Sequence, residues 1–160
     1  MAREYGRYLT RTHRDEDWAE LTTLHHDCYM ALVCSEDITW AGVVPYAPLR
    51  FSSFASDLNE RRVMKAWAEL EQVNLLVIDK ATAEILVRTF LKHDNVIAKP
   101  NLTRAFCTAY EKVRSDVIRR AIDAELGKLY EAAPNLSGWG PISERLPDLF
   151  DELQAQQIGA

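Results

Sequence analysis

Between Asn59 and Val87 a strongly amphipathic stretch runs directly into two short β-type runs, and few folds accept that succession. Asn59 is a good N-cap for a helix from Glu60 to about Gln72. Val63, Ala66, Trp67 and Leu70 recur at helical spacing as its buried stripe, and Arg61, Arg62, Lys65 and Glu69 occupy the opposite face. Leu75–Ile78 and Ile85–Val87 then flank the polar segment Asp79–Glu84, which predicts a hairpin with a short loop. Upstream, Gly42–Tyr46 is an apolar run bounded by Gly and Pro, a small edge strand. Pro48 suits a helix start, and Leu49 to Leu58 reads as a short helix burying Leu49, Phe54 and Leu58.

A first helix is expected from Asp15–Asp17 to about Ser35, with Trp18, Leu21, Leu24, Cys28, Ala31 and Leu32 on its buried face. The order is therefore helix, strand, helix, capped helix, hairpin. That is the order of a winged helix-turn-helix, a mainly α fold with a small β-wing. Downstream, Asn101 is placed to cap one long helix from Leu102 to about Ala133, a natural dimer or packing element. Residues 134–147 are rich in Pro, Gly and Ser and read as a linker or an ordered turn. An acidic amphipathic tail follows, with Leu149, Phe150 and Leu153 on a short helix. The chain thus divides into a basic N-terminal arm (1–14), a winged-helix domain (15–100), the long helix (101–133) and a linker with its tail (134–160).

Charge separates along these pieces. Residues 1–14 carry Arg3, Arg7, Arg11 and Arg14 against Glu4, whereas residues 15–37 carry seven acids and no Lys or Arg. The formal net charge of −5 argues against a basic nucleic-acid coat and leaves room for a local basic face. Cys28, Cys34 and Cys107 lack framework spacing and read as reduced thiols of a cytoplasmic protein. The apolar runs are far short of a membrane span, and the N-terminus has no apolar leader region. No phosphate-cradling glycine motif and no metal-ligand spacing occurs, so no cofactor, no metal and no enzymatic activity are expected.

Several phrases also resemble a known family. Tyr5-Gly6-Arg7, DEDWAELT, GVVPYAPLRF, DLNERRVMKAWAELEQVNLLVID and EILVRTFLKHDNVIAKPN are similar to winged helix-turn-helix proteins of actinobacterial phages and prophages. Those proteins are in turn similar to the N-terminal domains of phage replisome organisers. The resemblance covers roughly residues 5–130 and implies double-stranded DNA binding, in replication initiation or transcription regulation. Related chains are more basic across helices two and three, and here Asp57, Glu60, Glu69 and Glu71 are interleaved with the basic residues.

The expected DNA contacts are Arg61, Arg62 and Lys65 on the third helix, Arg50, Ser52 and Ser53 on the second, and Lys80 and Thr82 on the wing. Arg7 and Arg11 form a possible arm along the duplex. A homodimer is expected, because two half-sites multiply affinity. The alternative is a winged helix that docks a host or phage protein. Trp139 in its glycine-rich turn, and Leu149, Phe150 and Leu153 in the tail, are the partner-binding candidates there, although each can also fold back onto the chain's own core.

Overall fold

Thr22 rather than Asp15–Asp17 starts the first long helix. Its hydroxyl accepts from the His25 backbone N–H while the His25 side chain reaches back to the Thr22 amide, a closed capping box. The computed structural model describes residues 16–158, and in it the expected first helix is two: α1 (Glu16–Ala19) and α2 (Thr23–Val33). Trp18 of α1 stacks on His26 at 4.4 Å and meets the Tyr29 ring edge-on.

The edge strand is β1 (Val43–Pro45), reached through a turn at Gly42. Gly42 adopts φ 77° with Phe90 so close that a Cβ would lie 2.9 Å from it, so both conformation and space demand glycine. The next helix is shorter than expected: α3 (Pro48–Phe51) passes into a 3₁₀ turn at Ser52–Phe54. Its buried residues differ too. Phe51 packs edge-on against Trp67, while Leu49 and Phe54 are 70% and 57% exposed and Leu58 is half-buried. This single turn buries Pro48 and Phe51, and the Phe51–Trp67 pair takes the core place expected of Leu49 and Phe54.

Asn59 caps α4 (Glu60–Gln72) by accepting from Arg62 N at 3.0 Å, and Val63, Ala66, Trp67 and Leu70 are buried as the spacing predicts. The hairpin follows as β2 (Leu76–Asp79) and β3 (Glu84–Val87), with Asp79 opposite Glu84 and Leu76 opposite Val87. β3 is central and antiparallel to both neighbours, in the order β1-β3-β2. The molecule is thus mainly helical with one small three-stranded antiparallel sheet.

After α5 (Phe90–His93) and a 3₁₀ turn at Val96–Ala98, the single helix expected over Leu102–Ala133 is instead a pair, α6 (Pro100–Tyr110) and α7 (Asp116–Ala132). Ser115 divides them. Its Oγ accepts from Ile118 N at 3.1 Å and caps α7. The buried Glu84 carboxylate accepts from Ser115 N at 2.9 Å and from Arg114 N at 3.2 Å. Ser115 also hydrogen-bonds Asp79, which holds that carboxyl below its usual range. The loop end of the hairpin is thereby clamped onto the start of α7.

Residues 134–160 are likewise no free linker and tail as far as they are described. They form α8 (Trp139–Arg145) and α9 (Pro147–Ile158), which pack on α6 and α7. Gly138 permits this: a Cβ there would lie 2.0 Å from the Ile97 carbonyl oxygen. No helix among the described residues is long and apolar enough to cross a membrane.

Candidate functional site

α4 lies across α2 with its charged side outward. Arg61, Lys65, Ala68 and Gln72 fall three and four residues apart and are all exposed, forming one continuous row along the helix. The acids interleaved with them point elsewhere. Glu69 accepts a hydrogen bond from His25 Nε2 at 2.7 Å, and this bond keeps its carboxyl below the usual range. Glu71 reaches to the other side, where Ile78 N donates to it at 2.7 Å. Asp57 receives the Arg62 guanidinium, on both its backbone oxygen and, at 3.1 Å, its carboxylate. Glu60 stays in the first turn, where a negative charge suits the helix dipole. Arg61 has no partner among the described residues, and Lys65 has only the loose 3.7 Å approach of Glu69.

Other expected contacts are more committed. Arg50 pairs with Asp37. Ser52 Oγ donates to Leu49 O and Ser53 Oγ to Arg50 O, both at 2.7 Å, so neither hydroxyl proton is free for a phosphate. Lys80 is exposed at the hairpin loop with its ammonium 5.9 Å from the Tyr46 ring centroid. Thr82 is half-buried, its amide turned to Asp79 Oδ1 at 3.4 Å. Arg114 stands beside it, exposed, with its guanidinium donating to Thr82 O. Sequence reasoning missed Arg114 because it fell inside the expected long helix; the Ser115-Asp116 pair ahead of an apolar series was the signal. Arg7 and Arg11 lie outside the described residues.

Of the partner-binding candidates, Trp139, Leu149 and Leu153 are buried and Phe150 is half-buried. Trp139 is 4% exposed, donates its ring N–H to Ala133 O at 2.9 Å and meets Tyr130 edge-on at 5.0 Å. Leu149 and Leu153 are buried, and Phe150 packs edge-on against Tyr130. Trp139, Leu149 and Leu153 are part of the chain's own core and Phe150 packs against it, the fold-back placement open to each of them in the sequence. No family model, curated protein or solved structure matches this chain. The functional reading therefore rests on geometry and on the sequence resemblance.

Two further polar clusters are built of the same materials and do other work. Arg88 bridges Glu125 of α7, at 2.7 Å, and Asn74 beside the hairpin. Tyr110 donates to Asp123 Oδ1 at 2.7 Å, and burial raises the pKa of both groups. Neither cluster lies on the exposed row of α4. Among the described residues no three His, Cys, Asp or Glu side chains gather as a metal site.

Proposed function

We propose that this chain is a DNA-binding winged-helix protein of the phage kind it resembles, acting in replication initiation or transcription regulation. The observation that carries the reading is the exposed row of α4, basic at Arg61 and Lys65, with Glu69, Glu71 and Asp57 each drawn to a different internal partner. The element order α2-β1-α3-α4-β2-β3 and the strand order β1-β3-β2 support it, since a winged helix presents its third helix to the major groove and its hairpin to the backbone. Arg61 is the base-reading candidate and Lys65 the phosphate contact, with Lys80 and Arg114 meeting the backbone at the hairpin end. Arg62, held by Asp57, serves the α3–α4 turn first.

Selection of purified protein against random duplex DNA at about 100 mM salt tests the reading, because phosphate-driven affinity survives there and weak background does not. An enriched motif is expected, palindromic if two copies bind. R61A should weaken binding to that motif by about 1–3 kcal/mol and relax the preference at one base pair. K65A should weaken binding to all sequences alike and lower the salt slope by about one. Duplex retention that is absent, or indifferent to both substitutions, overturns the proposal.

A further inference from the structure

We infer that the groove between α2 and the α3–α4 turn docks a basic amphipathic segment of a partner protein. The groove holds about 490 Å³. α2 supplies Cys28, Met30, Ala31 and Cys34 to one wall, and Phe51, Phe54 and Leu58 form the other. Trp67 lies beneath them, its buried ring N–H without an acceptor among the described residues. Met30 and Cys34 give a soft, adaptable lining. Phe54 stands largely in solvent at its edge, and Leu49 of α3 is exposed as well. An exposed aromatic at the edge of an apolar cleft is the usual composition of an interface hot spot.

The charge around the groove selects the occupant. Among the described residues lining it Asp27 is the one that is charged, exposed Glu36 follows Cys34 two residues on, and Asp37 beyond it is paired with Arg50. From Glu16 to Leu49 the chain carries no Lys or Arg. The carbonyl end of α2 closes this side and has no basic residue in its last turn, which adds partial negative charge. The two arginines nearby are each taken up by an acid, Arg50 by Asp37 and Arg62 by Asp57, so Asp27 and Glu36 leave the rim net acidic and the groove is a second surface, opposite in charge to the exposed row of α4. A helix with Leu or Phe anchors at i, i+3, i+4 and i+7 and Lys or Arg elsewhere satisfies both the apolar walls and the acidic rim.

The probe is a fluorescein-labelled peptide of that pattern, titrated into the full chain by anisotropy beside a control with Glu in place of its basic residues. The basic peptide should bind, at least tenfold tighter than the control, with an affinity that falls as salt rises. F54A should weaken it by about tenfold. D27K should weaken it by about threefold and flatten its salt dependence. Both positions are exposed, so far-UV circular dichroism and melting should match the parent. Cys34 gives a local readout, because it is exposed while Cys28 and Cys107 are buried. Bound peptide should slow alkylation of Cys34 by iodoacetamide. Equal binding of both peptides, or binding that ignores F54A and leaves Cys34 alkylation unchanged, overturns the inference. A concentration-dependent dimer abolished by F54A overturns it too, by assigning the groove to a second copy. Duplex binding measured on the same variants stays at the parent level whichever outcome holds for the groove.

Discussion

The elements from α2 to β3 leave Leu49, Phe54, Met64 and Val73 in solvent, whereas those from α6 to α9 leave Val117 alone so exposed among the described large hydrophobic residues. Basic side chains are exposed in both: Arg61, Lys65 and Lys80 in the first region, Lys112 and Arg120 in the second, where Arg145 is spent on Glu111 at 2.9 Å and on Thr108 at 2.8 Å. What separates the regions is how completely the second consumes its apolar side chains internally. The second achieves this through aromatic packing of Trp139, Tyr130 and Phe150 and through polar ties such as Arg88–Glu125. A surface meant for partners must carry side chains that the monomer does not use, and a supporting layer must not.

The sharpest way to break this comparison is at Trp139. Truncation in W139A removes a buried ring and leaves the Ala133 carbonyl without its donor, so chemical denaturation should show a loss of about 3–5 kcal/mol. A loss under about 1 kcal/mol would mean that the α8–α9 layer does not support the rest. Glu84 is next. In E84Q an amide replaces a carboxylate that faces two backbone N–H groups, and one of its donors must then oppose them. The expected loss is about 1–3 kcal/mol by the same measurement. The DNA-binding losses of R61A and K65A should appear with unfolding free energies unchanged, since neither side chain is buried.

The smallest effect is expected at Asp123 and has the opposite sign. Burial raises its pKa above the unfolded value, so the folded state is penalised for carrying the charge. That penalty is full above the raised value, declines as pH falls through it, and is gone below the unfolded value near about pH 4. D123N keeps an oxygen to accept from Tyr110 and removes the charge, including its repulsion of Glu152. The variant should be slightly more stable than the parent at pH 7 and indistinguishable from it at about pH 3. A difference that grows on acidification would reverse the assignment.

How much of this was legible follows from where each signal lives. α4, its Asn59 cap, the β1 edge and the hairpin are written in local period and turn residues, and they form where the spacing puts them. The division of Leu102–Ala133 is tertiary. No Gly or Pro marks residues 111–115, and Ser115 becomes a cap in company with carboxylates from Glu84 and Asp79, some thirty residues away in sequence. Thr22 was missed because His25 completes its capping box where Glu or Gln is the usual partner. Leu49 and Phe54 were misassigned to the core because a ten-residue helix was expected where one turn and a 3₁₀ turn form. For the candidate site, composition placed Arg61 and Lys65 but could not show where Glu69 and Glu71 point, and that direction decides whether the face is basic or mixed.

The clamp of Glu84 and Asp79 on the start of α7 sets which amides exchange with solvent together. The hairpin cannot open without releasing the Ser115 and Arg114 amides, and α7 cannot fray at that end without freeing a buried carboxylate. Ser115 N–H and the β2–β3 cross-strand amides should therefore share one opening event, slower than fraying at the far end of α7. A ligand gripping the hairpin loop would then protect the first turn of α7 as well, because the loop end and that turn are held by the same carboxylate.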